Sequence, residues 1–250
     1  MANDFRARLK RGDRLLGTMV TLPSPPAAEV LASLGFDWLF VDAEHGPLET
    51  AELLGILTAV NRRAACLVRV PSCDAVQIAK VLDLGADGII VPQVNTPEQA
   101  AAAVRFARYP PEGDRGVGLA RAHGYGLKFK EYVESANREI VVVVQAEHAT
   151  AVQNIDAIAR VPGVDAVLLG PYDLSASLGR MGQVDDPKVV AAIARVTDAC
   201  RAVEMPLGYF GVGAAAVRPY VERGYTLIVA GVDTTLLAGA ARGLLAELRG

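Results

Sequence analysis

Two carboxylates stand directly after apolar segments of the chain. Glu147 follows IVVVVQA, and Asp173 follows AVLLGPY. If these segments are neighbouring strands, the carboxylates meet and provide the oxygen ligands that Mg²⁺ or Mn²⁺ prefers. The same pair could serve in acid–base catalysis without a metal, or could lie at the surface with no chemical role. The motifs HxH and HExxH and clustered cysteines do not occur, so a structural zinc site is not expected.

Arg69 and His45 also stand at the ends of apolar segments of the chain. Arg69 follows AACLV, and His45 ends the segment VDAEH. A guanidinium there could bind a carboxylate or stabilise an oxyanion, or it could form a salt bridge that closes the end of the fold. Histidine is a natural general base near neutral pH, and the nearby carboxylates Asp42 and Glu44 favour that role for His45 over a core position.

The sequence lacks the reactive groups that several other reaction mechanisms require. None of the five lysines ends a predicted strand, which disfavours a Schiff-base mechanism. The sequence has no GxSxG or Walker A motif, which argues against serine hydrolases of that type and P-loop enzymes. A divalent metal is therefore the expected electrophile.

Eight apolar runs alternate with amphipathic stretches and predict a repeated βα unit. Strands are predicted at 15–21, 38–44, 64–70, 88–92, 140–147, 166–171, 206–211 and 227–232, and helices at 27–34, 49–62, 74–84, 96–108, 148–160, 186–204, 213–223 and 234–248. The strands are continuous runs of Val, Ile and Leu, as in parallel sheets buried on both faces.

Four similar helix-to-strand turns support this repeat. They read GFD at 35–37, GAD at 85–87, GVD at 163–165 and GYT at 224–226, each with glycine where a helix would end. We therefore predict an α/β protein with a single (β/α)8 TIM barrel over residues 1–250, whose polar residues gather at the C-terminal ends of the strands. A doubly wound sheet is the alternative, but the GxGxxG typical after its first strand does not follow Gly17.

Two segments depart from the repeat. Residues 109–137 contain Pro110, Pro111 and several glycines and arginines, which predicts a long loop near a ligand or a neighbouring subunit. The basic residues between positions 6 and 14 predict a solvated leading helix.

Composition limits the classes of protein that remain. The chain has 250 residues, of which 52% are hydrophobic, and a formal net charge of −3. These values exclude intrinsic disorder, and no basic patch of the nucleic-acid-binding type is evident. The apolar runs are too short to span a membrane, and no signal-peptide pattern is visible. Together with three cysteines and no CxxC, these features predict a cytoplasmic protein with no membrane or nucleic-acid partner.

The chain resembles the HpcH/HpaI aldolase family, the metal-dependent class II pyruvate aldolases, over nearly its whole length. The similar segments are GFDWLFVDAEHGP at 35–47, LVRVP at 67–71, IIVPQV at 89–94, YPPEGDRGVG at 109–118, VQAE at 144–147, LLGPYDLSASLG at 168–179 and GVDTTLL at 231–237. These segments are specific as a set, whereas any one alone is a weak signal.

The resemblance implies a role for each candidate residue. Glu147 and Asp173 correspond to the ligands of a divalent cation, Mg²⁺, Mn²⁺ or Co²⁺. Arg69 corresponds to the arginine that stabilises the pyruvate enolate, and His45 to the base, acting directly or through metal-bound water. The implied substrate-binding positions are Gln145, Gly170, Pro171, Tyr172, Arg121 and Val212, with the backbone N–H groups of Tyr172 and Asp173 facing the pyruvate carboxylate.

Three further implications concern neighbouring elements and subunits. Asp42 and Asp83 correspond to family acids that orient His45, and Arg121 to an arginine on the aldehyde side. Because Asp83 is predicted at the opposite end of its own barrel, it would serve a neighbouring subunit. The family is typically hexameric with an exchanged C-terminal helix, and the apolar segment TLLAGAARGLLAEL at 235–248 suits such packing.

The implied activity is the reversible cleavage of 4-hydroxy-2-oxo acids into pyruvate and an aldehyde by a homohexameric carbon–carbon lyase. The alternatives are a 2-dehydro-3-deoxyglucarate-type aldolase, an oxaloacetate decarboxylase, a CoA-ester lyase and a barrel that binds a keto acid without turnover. The aldehyde, the stereochemistry at C4 and the preferred metal are left open.

Overall fold

The structure, a computed structural model, describes residues 4–249 and contains a closed barrel of eight parallel strands. The strands are β1 (Leu15–Val20), β2 (Trp38–Asp42), β3 (Ala65–Arg69), β4 (Gly88–Val91), β5 (Val141–Ala146), β6 (Ala166–Leu169), β7 (Leu207–Gly211) and β8 (Leu227–Val232). They pair in chain order, and β8 closes the barrel against β1. The predicted TIM barrel is confirmed, and each predicted strand is present.

Helices alternate with the strands. They are α1 (Phe5–Lys10), α2 (Pro25–Ser33), α3 (Thr50–Val60), α4 (Ala75–Asp83), α5 (Pro97–Ala107), α6 (Phe129–Glu139), α7 (Ala149–Ile158), α8 (Pro171–Ser177), α9 (Pro187–Arg201), α10 (Ala214–Glu222) and α11 (Asp233–Arg249). Within residues 4–249, no helix is long and apolar enough to cross a membrane.

Both faces of the strands are buried, which accounts for their continuous apolar sequences. Phe40 and Leu67 belong to a cluster inside the barrel, whereas Leu39 and Val68 belong to a second cluster that includes helix residues. The strand register also sets the polar end of the barrel, because Asp42 at the end of β2 lies opposite Arg69 at the end of β3.

The four repeated turns have one conformation. Their glycines, Gly35, Gly85, Gly163 and Gly224, all adopt left-handed φ angles of 84–92°. In three of the turns the following aspartate accepts a hydrogen bond of 2.8–3.0 Å from the backbone N–H of the neighbouring strand; the pairs are Asp37 with Leu16, Asp87 with Cys66 and Asp165 with Val142. The repeat therefore joins β2, β4 and β6 to the strand before each of them.

The leading helix α1 is not simply solvated, so that prediction was wrong in part. Phe5 and Leu9 lie on one face of the helix and are buried in the cluster inside the barrel, where Phe5 packs against Trp38. Arg6 donates a 2.8 Å hydrogen bond to Asp165. The helical spacing of Phe5 and Leu9 explains the burial, because residues four apart share a face.

The segment 109–137 is more ordered than a loop. It contains a 3₁₀ turn at Arg121–His123 and most of α6. His123 is buried, with its Nε2 atom 3.1 Å from the Tyr109 hydroxyl, and the Arg115 guanidinium packs over the Tyr109 ring. The prediction of a loop was wrong for this segment, because its own aromatic and basic side chains pack against one another and order it.

Candidate active site

A cavity of about 310 Å³ opens at the C-terminal ends of the strands. It is lined by Met19, Thr21, Phe40, Asp42, His45, Arg69, Gln145, Leu168, Gly170, Pro171, Tyr172, Asp173 and Phe210. Most of the residues singled out in the sequence therefore meet at the end of the barrel where sites of this fold lie.

Arg69 lies at the mouth and forms a bidentate ion pair with Asp42. Its Nε and Nη2 atoms donate to the two oxygens of Asp42 at 2.8 and 2.7 Å. Its Nη1 atom lies 3.1 Å from Glu44 Oε2 and donates to Gln145 Oε1 at 3.5 Å. The pair is almost fully buried, so the orientation of the guanidinium is set by Asp42 and by the β2–β3 register.

Glu147 is buried just beyond the end of β5. Its Oε1 atom accepts from the backbone N–H of Gln93 at 2.8 Å, and its Oε2 atom accepts from Gln145 Nε2 at 2.7 Å. Burial raises the pKa of Glu147 to about 7; the Gln93 hydrogen bond opposes this rise, and the charges of Asp173 and Glu44 add to it.

The backbone around Glu147 is shaped for close approach. Gln93 has a left-handed φ of 53°, unusual for a residue other than glycine, and this conformation accompanies the hydrogen bond to Glu147. Gly170 lies so close to Glu147 that a Cβ atom there would be 2.6 Å from Glu147 Oε2. The glycine thus allows the β6 end to pass beside the carboxylate, and Asp173 follows in the first turn of α8.

The residues present fit a divalent cation. Glu147 is a buried carboxylate beside further negative charge, and the buried Glu44 Oε2 atom forms an ion pair with Arg69 but no hydrogen bond. Within residues 4–249, no group of three or more His, Cys, Asp or Glu side chains forms a metal site by itself. Mg²⁺ is commonly held by one or two carboxylates, with water and substrate completing its shell, so a set of two carboxylates such as Glu147 and Asp173 would be enough to hold it.

His45 lies at the rim, and its imidazole is 68% exposed. Its Nε2 atom is 3.8 Å from Glu44 Oε2, whereas Asp42 accepts a hydrogen bond from the His45 backbone N–H. Asp42 therefore contacts the His45 segment through the main chain, and Glu44 is the carboxylate recorded beside the ring. Burial raises the pKa of Glu44, and the charge of Arg69 opposes that rise.

Glu44 and Gln93 are site residues that the sequence reasoning did not assign. Glu44 carried a signal, since it lies within VDAEH, but its contact with Arg69 depends on the fold. Gln93 had no such signal in the sequence, because it contacts Glu147 through its backbone N–H group. The assigned residue Val212 follows β7 and is 53% exposed, outside the lining of the cavity.

Asp83 and Arg121 do not line this cavity. Asp83 ends α4 and accepts a 2.7 Å hydrogen bond from Arg115. Arg121 donates to the backbone carbonyls of Leu57 and Leu84, near the C-terminal ends of α3 and α4. Both residues line a separate groove on the helical layer, so neither reaches the mouth of its own barrel.

Comparisons with known proteins identify the family of this chain. The family model for HpcH/HpaI aldolase/citrate lyase matches residues 16–240. A 4-hydroxy-2-oxovalerate aldolase from Novosphingobium aromaticivorans is 40% identical over 97% of this chain and 93% of its own length. A 4-hydroxy-2-oxo-heptane-1,7-dioate aldolase from Escherichia coli is 41% identical over 99% of this chain and 95% of its own length.

A solved structure extends the comparison to three dimensions. An HpcH/HpaI aldolase/citrate lyase family protein from Burkholderia cenocepacia superposes with a TM-score of 0.96 at 38% identity, covering 99% of this chain and all of that one. The match therefore covers the whole barrel. The chain belongs to the HpcH/HpaI aldolase/citrate lyase family.

Proposed function

We propose that the chain is a class II pyruvate aldolase that cleaves and forms 4-hydroxy-2-oxo acids. One observation carries the proposal: Arg69, Asp173 and His45 line one cavity, and the buried Glu147 is hydrogen-bonded to Gln145 of the same lining. Such a set can polarise a 2-oxo acid, stabilise an enolate and move a proton. Among residues 4–249, no lysine lines the cavity, so a Schiff base has no amine there.

Glu147 and Asp173 would hold the divalent cation, Mg²⁺, Mn²⁺ or Co²⁺. When bound, it would supply Lewis-acid polarisation of the pyruvate keto group. Gln145 orients Glu147 through a 2.7 Å hydrogen bond and accepts from Arg69 on its other side. Gln145 therefore links Glu147, the proposed metal ligand, to the Arg69 guanidinium through hydrogen bonds.

Arg69 stabilises the enolate oxygen in this proposal. Asp42 accepts hydrogen bonds from Nε and Nη2, so Nη1, which faces Gln145 and Glu44, is the nitrogen that would donate to the enolate oxygen. Because the ion pair fixes the guanidinium before substrate arrives, little reorganisation accompanies the change in charge. The backbone N–H groups of Tyr172 and Asp173 would bind the pyruvate carboxylate.

His45 takes the proton from C3 of pyruvate, directly or through water. The C3–H electron pair becomes the enolate double bond, and the enolate then attacks the carbonyl carbon of the aldehyde. The aldehyde oxygen gains a proton as the C3–C4 bond forms, and cleavage is the exact reverse. The exposed imidazole, near Glu44, can exchange its proton with solvent.

The test is deuterium exchange from solvent into the methyl group of pyruvate, followed by NMR with no aldehyde present. Protein stripped with EDTA should show no exchange, and Mg²⁺, Mn²⁺ or Co²⁺ should restore it. Exchange that survives stripping would contradict the metal role. No exchange under any condition would favour a CoA-ester lyase or a keto-acid-binding barrel.

We also propose that the subunits assemble through α11, as a homohexamer. From 234 to 249 every residue of this helix is exposed, including Leu236, Leu237, Leu244, Leu245 and Leu248. Such an apolar surface is typical of an interface. Exchange of this helix between subunits is consistent with that exposure. In such an assembly, Asp83 would act only across a subunit interface. Leu237→Arg with Leu244→Arg should lower the mass measured by light scattering.

A further inference from the structure

The inner face of β2 carries two aromatic rings on the same side of the strand as Asp42. Successive residues of a strand point to opposite faces, so Trp38, Phe40 and Asp42 share one face. Both rings belong to the cluster inside the barrel. The register places Asp42 opposite Arg69, and Phe40 opposite Leu67, two residues earlier on β3. The Phe40 ring is therefore one step below Arg69 on the inner face of the barrel.

The Arg69 guanidinium lies over the ring of Phe40. Its Cζ atom is 5.1 Å from the centroid of the ring, a separation typical of a cation–π contact. The bidentate pair with Asp42 fixes the distance of the guanidinium from that carboxylate. Hydrogen bonds tolerate a range of angles, so this pair alone would permit the guanidinium to tilt. The Phe40 ring restricts that tilt from one side.

The Phe40 ring is itself held in place by other aromatic side chains. It is buried, and the indole of Trp38 lies against it with ring centroids 6.2 Å apart. Phe5 of α1 contacts Trp38 in turn, at 6.3 Å. The indole fits because Gly17 has no side chain, since a Cβ atom there would lie 2.6 Å from the ring. A continuous aromatic column therefore runs from α1 through the interior of the barrel to Arg69.

The orientation of Arg69 decides where its Nη1 atom points. Because Nε and Nη2 bind Asp42, Nη1 lies on the other side of Cζ, where it faces Gln145 and Glu44. A tilt of the guanidinium about the Asp42 pair would displace Nη1 more than either bonded nitrogen. In the proposed function Nη1 donates to the enolate oxygen, and a donor that is already in position needs no reorganisation as charge develops. The contact that resists the tilt therefore affects the rate of enolate formation.

We propose that Phe40 is a positioning residue of the reaction, whose ring keeps the Arg69 guanidinium in the orientation in which Nη1 meets the enolate oxygen. This inference rests on the proposed function and deepens it. Phe40 has no donor, acceptor or proton of its own to offer, so it acts through Arg69. Its effect falls on the transition state rather than on the binding of pyruvate.

Replacement of Phe40 by leucine removes the ring and keeps an apolar side chain. With Mn²⁺-loaded protein, the maximum rate of deuterium exchange into the pyruvate methyl group should fall roughly tenfold in Phe40→Leu, whereas the half-saturating pyruvate concentration should stay within about twofold. Phe40→Met, with a flexible side chain that fills gaps, is expected to behave in the same way. A wild-type rate in either folded variant would overturn the inference, as would a loss seen only in half-saturation.

Phe36→Leu is the matched control. Phe36 is half-buried in the turn before β2, at the end of the barrel away from the mouth, and packs against the outer cluster. The same substitution there should lower the melting temperature and leave exchange per folded molecule unchanged. If Phe36→Leu slowed exchange as much as Phe40→Leu, a general loss of stability would explain both effects and the inference would fall.

A double-mutant cycle tests whether Phe40 acts through Arg69. Lysine has no planar fork for a ring to orient. In the Arg69→Lys background, Phe40→Leu should therefore slow exchange by less than about a further twofold. A further tenfold loss in that background would show that the ring acts independently of the guanidinium, and would overturn the inference. Absence of exchange in the wild-type protein contradicts the proposed function itself, so the two failures are distinguishable.

Discussion

Replacement of Arg69 by lysine tests the proposed enolate stabilisation most directly. Arg69 binds both oxygens of Asp42 and still directs Nη1 toward Gln145. Lysine has one nitrogen in place of the guanidinium fork, so it cannot bind both Asp42 oxygens and also hold a separate donor fixed toward the enolate oxygen. Loss of one preorganised donor to an oxyanion lowers rates by about 10²–10³, or about 3–4 kcal/mol. Arg69→Lys should slow pyruvate methyl exchange by that factor.

Arg108→Lys is the matched control. Arg108 is also a buried arginine, with its Nη1 atom donating to the Ile140 carbonyl and its Nη2 atom to Asp165, but it does not line the mouth. Its replacement should lower the melting temperature and leave exchange per folded molecule unchanged. If Arg69→Lys kept more than about a tenth of the wild-type exchange rate, its assignment as an enolate donor would be untenable.

Three further outcomes are expected. His45→Asn should reduce exchange by about 10²–10⁴, the usual contribution of a general base, with no change in circular dichroism; near-normal exchange would remove His45 from the mechanism. Glu147→Gln keeps the shape of the side chain but removes a ligand charge, so calorimetric titration should show much weaker Mn²⁺ binding, and unchanged binding would contradict the assigned site. Burial raises the pKa of Asp87 from 3.8 to about 6, so the folded state holds a proton more tightly than the unfolded state does. The free energy of unfolding should therefore fall as pH rises from about 4 through 6, by at most about 3 kcal/mol, and urea titrations of Asp87→Asn should lack this component.

The barrel could be predicted because its signals are local. A strand buried on both faces must be a continuous apolar run, and a helix that turns into a strand through a left-handed residue favours glycine. Gly35 and Gly85 show that conformation, as their spacing predicted. Positions that directly follow apolar strands were also readable, since parallel strands end at one mouth, and Arg69 and Glu147 were found there.

Other features required distant partners that a local pattern does not identify. The burial of α1 depends on contact with Trp38, and Arg6 pairs with Asp165, 159 positions away. The segment 109–137 was predicted as a loop because glycine, proline and arginine are common in loops. Its aromatic residues nevertheless pack on His123 and order the segment.

The sequence by itself determined the strands, the turns and many of the side chains at the mouth, because each of these depends on residues close along the chain. The tertiary structure decided the pairings among them. Asp42 is 27 positions from Arg69, and only the β2–β3 register places its carboxylate against that guanidinium rather than against the ring of His45. The packing of the barrel likewise decided that Arg121 caps helix carbonyls and that the surface of α11 is left exposed.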